Sequence, residues 1–330
     1  MFDQKELILL KKGDLLNHFL VVRKSEIRMT KTNKQYLSLD LGDKSLTLNA
    51  NIWDNFEEIS IKIKPGIVVK VSGNIDEFQG SAQIRISSIK LTSPADGVSA
   101  ADFQAQSKRD FDEMKKEFAV RMERINDENL KRLMEIIFSG ERFEKYLNVP
   151  AGKLWHHSYI HGLLEHTLEI IKICDLMCDI HPEINRDILI CGAMLHDFGK
   201  TEELSYNPVF EYTDKGKLLG HIVISAMIVN EEAKKIKSFP EDLKDCLLHV
   251  ILSHQGKLEY ASPVVPKTLE AIALYQADEL SAKVNAYKNA ILKDQKNDSK
   301  WTKYISLVST DLFNHGISSE IEEINKSLFD

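Results

Sequence analysis

Apolar and polar positions along the chain change rhythm once, near residue 95. Before that point they alternate with period two. Segments 36–41 and 45–52 alternate across the turn Gly42, Asp43, Lys44, and 15–22, 67–71 and 82–86 carry the same signature of half-buried strands. Five short strands with no long helix between them predict a small closed barrel. Residues 94–100, rich in Pro, Gly and Ser, break the pattern. Beyond them the spacing is helical, over roughly 127–138, 141–147, 157–180, 185–197, 218–237, 240–255 and 266–297. The charged stretch 101–125 reads as a connector helix or an oligomer contact. The turn-rich insert 206–216 reads as a small hairpin. The organisation expected is a barrel over 1–95, a connector over 96–126, a helical domain over 127–310 and a tail over 311–330.

The strand count, the central hairpin and the closing segment 71–84 resemble an OB-fold of the kind found in anticodon-binding and single-strand-binding modules. The fold class is therefore multidomain, an all-β OB-fold barrel followed by an all-α helical bundle. Such barrels bind single strands with a cationic groove and aromatic platforms for the bases. Candidates are Tyr36, Trp53 and Phe78 for stacking, with Arg23, Lys24, Arg28, Lys31, Lys34, Lys70 and Arg85 as phosphate partners. Base rates pull the other way for any single aromatic and favour Phe19, Trp53 and Phe78 as barrel filling.

Charge changes the picture only when divided. The net charge of −7 argues against a nucleic-acid partner. Residues 1–95, however, hold 14 lysines and arginines against 11 aspartates and glutamates, so the acidic excess belongs wholly to the remainder. An acidic remainder suits a domain that holds cations. Cys174, Cys178, Cys191 and Cys246 sit in apolar helical patterns without Cys-x-x-Cys spacing and read as reduced structural residues. No apolar run approaches the roughly 18 residues of a membrane span, and the first 14 residues do not read as a secretory signal. A cytoplasmic protein is expected.

The chemistry is carried by His166, the doublet His196-Asp197, His221, His254 and Asp278. His166 shares an apolar helical face with Leu163 and Ile170, so it points inward. His196 follows Gly192 and Ala193, small residues that let another helix approach. Asp278 lies one turn beyond Leu274 and Tyr275, where a carboxylate is costly unless paired or bound to metal. His221 begins a helix after Gly220 and His254 ends one before Gly256. Gly199 is placed to let the doublet leave regular helix geometry. One histidine is more often a core residue than a ligand, but six nitrogen and oxygen donors from five elements suit two divalent ions. His166, His196, Asp197 and Asp278 are assigned to one ion, and His221 and His254 to the other, with Asp197 bridging.

This set, with Gly199 and Lys200 behind the doublet, resembles the HD-domain metal-dependent phosphohydrolases over roughly residues 150–280. In such a two-metal site a bridging water attacks phosphorus in line while the ions hold the non-bridging oxygens. Mixed imidazole and carboxylate ligands suit manganese, iron, cobalt or magnesium. Lys200 is assigned to the scissile phosphate or the leaving group, against its plain reading as a solvated lysine after a helix end. Asp197, Lys200, His221 and His254 are the catalytic candidates. His157, His161 and Glu165, spaced by four, would share a helical face lining the substrate cleft, while Lys153 and Trp155 would touch a nucleotide phosphate and base.

An OB barrel followed by an HD domain entered through Pro150, Ala151, His157, Tyr159, Gly162 and His166 resembles the YhaM-type 3'-5' exoribonucleases over nearly the whole chain. The resemblance implies a manganese-preferring enzyme that trims single-stranded RNA from the 3' end and releases nucleoside monophosphates, with single-stranded DNA open as a second substrate. His161 departs from the small residue expected before Gly162. Two other readings stay open: an HD phosphodiesterase or nucleotidase on a small cyclic or dinucleotide, and a non-catalytic single-strand-binding accessory protein. Self-association is hinted at by 101–125, and no membrane partner is expected.

Overall fold

The computed structural model describes residues 4–30, 32–78, 81–152, 156–205, 210–293, 299–306 and 308–317. The chain divides into two compact units, Met1–Gln106 with Leu204–Tyr212, and Ser107–Glu203 with Thr213–Asp330.

In the first unit the strands are β1 (Leu15–Met29), β2 (Gln35–Gly42), β3 (Thr47–Ile52), β4 (Val68–Phe78) and β5 (Ser81–Leu91), with the short helix α1 (Glu57–Lys62) between β3 and β4. They close into a barrel in the order β1-β2-β3-β5-β4. Closure depends on the length of β1. Its first half pairs with β4 from Leu15 to Val21, and its second half pairs with β2 from Val21 to Met29. A register shift between Val22 and Lys24 bends the strand from one neighbour to the next. The parallel β3–β5 contact, Asn49 with Gln83 and Ala50 with Ile84, completes the ring. Leu37, Leu39 and Leu41 alternate into a core shared with Leu16, Leu20, Val69, Val71, Ile75 and Ile84. Asp43 fixes the β2–β3 turn by accepting the amides of Ser45 and Leu46 on one oxygen and that of Leu7 on the other.

The second unit is helical: α2 (Phe111–Glu123), α3 (Glu128–Ile137), α4 (Gly140–Asn148), α5 (Gly162–Ile180), α6 (Arg186–Leu195), α7 (Lys200–Glu203), α8 (Asp214–Ala233), α9 (Glu241–Leu252) and α10 (Leu269–Lys293). Asp110, Asp127, Asn185 and Thr213 cap α2, α3, α6 and α8, each accepting an amide of the first turn. Helices α5, α6, α9 and α10 pack on one another around Leu164, Ile171, Leu189, Val250 and Leu274. Among the described residues no helix is long and apolar enough to cross a membrane.

Three expectations change. The stretch 101–125 is not one helix: a 3₁₀ turn at Ala100–Phe103 is followed by α2, whose Met114 and Phe118 are buried in the helical core. The helix expected from 157 begins at Gly162. The hairpin is formed by β6 (Leu204–Ser205) and β7 (Glu211–Tyr212), so it starts before 206.

Candidate metal centre

Helix α6 ends at Leu195, and His196 and Asp197 open the tight turn that leads into α7. His196, the C-cap of α6, still has helical φ/ψ of −51° and −44°, and the chain leaves the regular helix through the turn 196–199. Gly199 serves the packing of that turn. A Cβ there would stand 2.2 Å from the His221 carbonyl oxygen, so only glycine lets α8 lie against the turn. The Gly199 amide donates to Ser225 Oγ, which in turn donates to the His196 carbonyl. Gly220, at φ 71°, breaks α8 into two segments and sets His221 at the start of the second. His254 follows α9 directly after Ser253.

These elements bring the six sequence candidates together. His166, His196 and Asp197 offer ligand atoms within 4.8 Å of one another, and Asp197, His221 and His254 do the same, so Asp197 belongs to both clusters. Asp197 Oδ1 lies 3.2 Å from His221 Nε2 and 3.7 Å from His254 Nε2, while Oδ2 lies 3.3 Å from His196 Nε2. Asp278 Oδ1 is 3.0 Å from His166 Nε2. All but His221, which is half-buried, are buried.

The proton positions favour a cation. Nδ1 of His196 donates to the Ala193 carbonyl at 2.8 Å and Nδ1 of His254 to the Ile251 carbonyl at 2.7 Å. An imidazole committed at Nδ1 presents a bare Nε2 when neutral. Glu203 Oε1 accepts both the amide and Nδ1 of His221, at 3.0 and 3.1 Å. The result is three buried atoms without a hydrogen-bond partner, His196 Nε2, His221 Nε2 and Asp197 Oδ1. Orphaned acceptors of this kind are costly without a partner. The donor set, imidazoles and carboxylates without a thiolate, fits divalent cations.

For two of the rings the electrostatics favour the neutral form. Burial holds His166 well below its ordinary pKa and brings His254 down to about 4. Burial also pulls on His196, but the charge of Asp197 outweighs it and raises the ring. Asp197 is held well below the carboxylate range because Lys200, His196 and His221 outweigh its desolvation. Lys200 is buried, its Nζ donating to Asp197 Oδ2 and the Ala151 carbonyl, which overturns the solvated reading.

Upstream of α5, the expected shared face is absent. His157 and His161 both take left-handed backbone, at φ 41° and 66°. His157 is fully buried, with Nε2 3.1 Å from Asn285 Nδ2 and 3.3 Å from Glu169 Oε2. His161 donates from Nδ1 to the Leu147 carbonyl and stacks on Phe111 at 4.2 Å, so its ring is committed there. Lys153 and Trp155 lie outside the described residues. The sequence reading passed over His156, whose ring lies 4.6 Å from that of His166 and is pushed by burial down to about 2. It also passed over Glu203, which holds the His221 ring, and Ser281, which touches His166 and in turn Glu169 on the His166 helix.

In the barrel unit Trp53 and Phe78 are not filling, whereas Phe19 packs partly buried beside Val21 and Val68. Trp53 is 46% exposed and Phe78 62%, and Tyr36 stacks on Trp53 at 4.6 Å between centroids. Of the cations, Lys70 is exposed over the Phe19 ring and Arg85 is exposed on β5. Arg23 is a structural residue instead: it is half-buried, donates to the Phe103 carbonyl at 2.6 Å, and burial lowers its pKa. Lys24 and Arg28 both pair with Glu26, and Lys34 pairs with Asp54. Lys31 lies outside the described residues.

Comparison with known proteins matches the same two regions. The HD domain family matches residues 163–283, and the OB-fold nucleic acid binding domain family matches 20–92. The 3'-5' exoribonuclease YhaM of Listeria innocua is 34% identical over 294 residues, 89% of this chain and 93% of its own. That of Oceanobacillus iheyensis is 32% identical over 286 residues, 87% of this chain and 90% of its own. That of Bacillus subtilis is 29% identical over 287 residues, 87% and 91% of the two chains. With relatives above 30% identity matched over nearly nine-tenths of the chain, and with both domain families present, the chain belongs to the family of YhaM 3'-5' exoribonucleases.

Proposed function

We propose that this chain hydrolyses the phosphodiester bonds of single-stranded RNA, and of single-stranded DNA as a second substrate, from the 3' end, releasing nucleoside 5'-monophosphates. The observation that carries the reading is the set of bare, inward-facing acceptors around Asp197, present in a chain whose other unit is an OB barrel with exposed aromatics. His166, His196, Asp197 and Asp278 would hold one divalent ion, and His221, His254 and the shared Asp197 the other. Manganese is the ion the family resemblance implies, and the mixed imidazole and carboxylate ligands suit magnesium, cobalt or iron as well. When bound, two such ions would acidify a shared water and offset the charge on a phosphate.

The chain's own residues supply the rest. Carbonyls of Ala193 and Ile251 keep the donor nitrogens of His196 and His254 aimed inward without reorganisation. Lys200 is held rigidly beside Asp197, where its charge can stabilise the leaving 3'-oxygen as that oxygen separates from phosphorus. The phosphate stays with the released nucleoside's 5'-oxygen. In the barrel, Tyr36, Trp53 and Phe78 would stack on bases while Lys70 and Arg85 meet phosphates, a mode tolerant of sequence.

The test is incubation of 5'-labelled and 3'-labelled single strands of RNA and DNA with and without manganese. The reading expects a descending ladder from the 5' label, immediate mononucleotide from the 3' label, and neither without the metal. Turnover of a dinucleotide with no attack on long strands would favour the small-nucleotide phosphodiesterase, and binding without any hydrolysis would favour the accessory protein.

A further inference from the structure

The four imidazoles of the metal centre are oriented by three kinds of partner. His196 and His254 give their Nδ1 protons to main-chain carbonyls, which no side-chain substitution removes. His221 relies on the carboxylate of Glu203. His166 relies on a hydroxyl: Ser281 Oγ stands 3.0 Å from His166 Nδ1 and 2.7 Å from Glu169 Oε2.

A hydroxyl has one proton to give, and an ionised carboxylate can only accept. Desolvation pushes the Glu169 carboxyl up, but hydrogen bonds from His157 and Ser281 outweigh it and keep the group below its usual range. The Ser281 proton therefore goes to Glu169, and Ser281 Oγ accepts from His166 Nδ1. His166 is left with a bare Nε2 facing Asp278 Oδ1 at 3.0 Å. Two acceptors at that separation repel unless a cation lies between them.

We propose that Ser281 and Glu169 form a positioning relay that holds His166 in the tautomer able to bind metal. The relay rests on the reading of His166 as a ligand. It is built by the two helices that carry His166 and Asp278. Glu169 lies three residues beyond His166 on α5, and Ser281 three beyond Asp278 on α10, so the packing that joins ligand to ligand also joins relay to ligand. Outer-shell partners of this type are worth about 10- to 100-fold in metal affinity.

The experiment titrates manganese into full-length protein against a competing chelator, with bound metal counted by elemental analysis after dialysis. Wild type should take two equivalents. Ser281→Ala should weaken one equivalent by about 10- to 100-fold and leave the other, at His221 and His254, unchanged. Ser281→Thr, which keeps the hydroxyl, should restore it. Glu169→Ala should weaken the same equivalent, and Ser281→Ala with Glu169→Ala should be no worse than Ser281→Ala alone, because the relay is already cut. Wild-type binding in Ser281→Ala, failure of Ser281→Thr to rescue, or additive losses in the double variant would overturn the relay. A wild type that takes up no manganese would instead overturn the ligand assignment beneath it. Glu169→Gln, on the more exposed side of the relay, should fall between wild type and Glu169→Ala.

Discussion

Trp53 and Phe78 leave about half or more of their surface in solvent, while His166, His196 and His254 leave none. The barrel carries its candidate contacts outward on strands whose interiors are closed by leucine, isoleucine and valine. The helical unit turns its polar groups inward, where each must be matched by a partner. The difference matches two kinds of work. Stacking on a strand of any sequence needs area and loose charge, and tolerates error. Holding ions needs donors fixed within a fraction of an ångström, so the ligands are set by five packed elements and their tautomers by carbonyls, Glu203 and Ser281.

That contrast can be broken by substitution, and the effects should fall in a definite order. Asp197→Asn removes the charge shared by both clusters. Hydrolysis of a labelled RNA should drop by about 10³-fold or more, since metal-centred stabilisation is worth several kcal/mol and each 1.4 kcal/mol is a decade. Binding of the same strand, followed by fluorescence anisotropy, should stay within about twofold. Trp53→Ala should do the reverse: strand affinity should weaken by about 1–3 kcal/mol, appearing as a raised KM with kcat unchanged.

Smaller still is the contrast between two arginines. Arg85→Ala should lower the slope of log affinity against log salt by about 0.7, the value for one contact to a single strand. Arg23→Ala should leave that slope alone, because its guanidinium serves the Phe103 carbonyl, and should register in urea unfolding instead.

The smallest effect separates two carboxylates by pH. Burial raises Glu232, but Lys235 and Arg142 outweigh it and hold the group below its ordinary 4.5. A carboxyl depressed by folding contributes stability that is full above about pH 4.5 and is lost as pH falls through the folded value. Glu232→Gln should therefore lower the urea midpoint at pH 7 and flatten its decline in acid. Glu26 is also depressed, by hydrogen bonds from Lys24 and Arg28, but it lies in solvent, where such pairs are screened. Glu26→Gln should leave the midpoint unchanged at either pH.

The barrel was legible because its strands alternate, and the ligand set because its residue types are rare on apolar faces. The rest was hidden for definite reasons. Residues 23–29 complete β1 with Arg23, Lys24, Glu26 and Arg28, beyond the expected end at 22, because much of this half of the strand faces solvent and carries charge. His157 and His161 take left-handed backbone that histidine does not advertise, so spacing by four suggested a helix that begins only at Gly162. Met114 and Phe118 gave too thin an apolar stripe to announce burial in a charged stretch. Glu169 and Ser281 had a signal that went unused, since each stands one turn beyond a ligand. Glu203 had none, because its partnership with His221 is made by the fold alone.

The central claim is that two clusters sharing Asp197 each hold a divalent ion. Its most direct test is the manganese content of the full-length protein after reloading and exhaustive dialysis, compared with Asp197→Ala. The account predicts two equivalents per wild-type chain and loss of both from a variant that remains folded by circular dichroism. A folded Asp197→Ala that keeps two equivalents, or a wild type that keeps none, would contradict it.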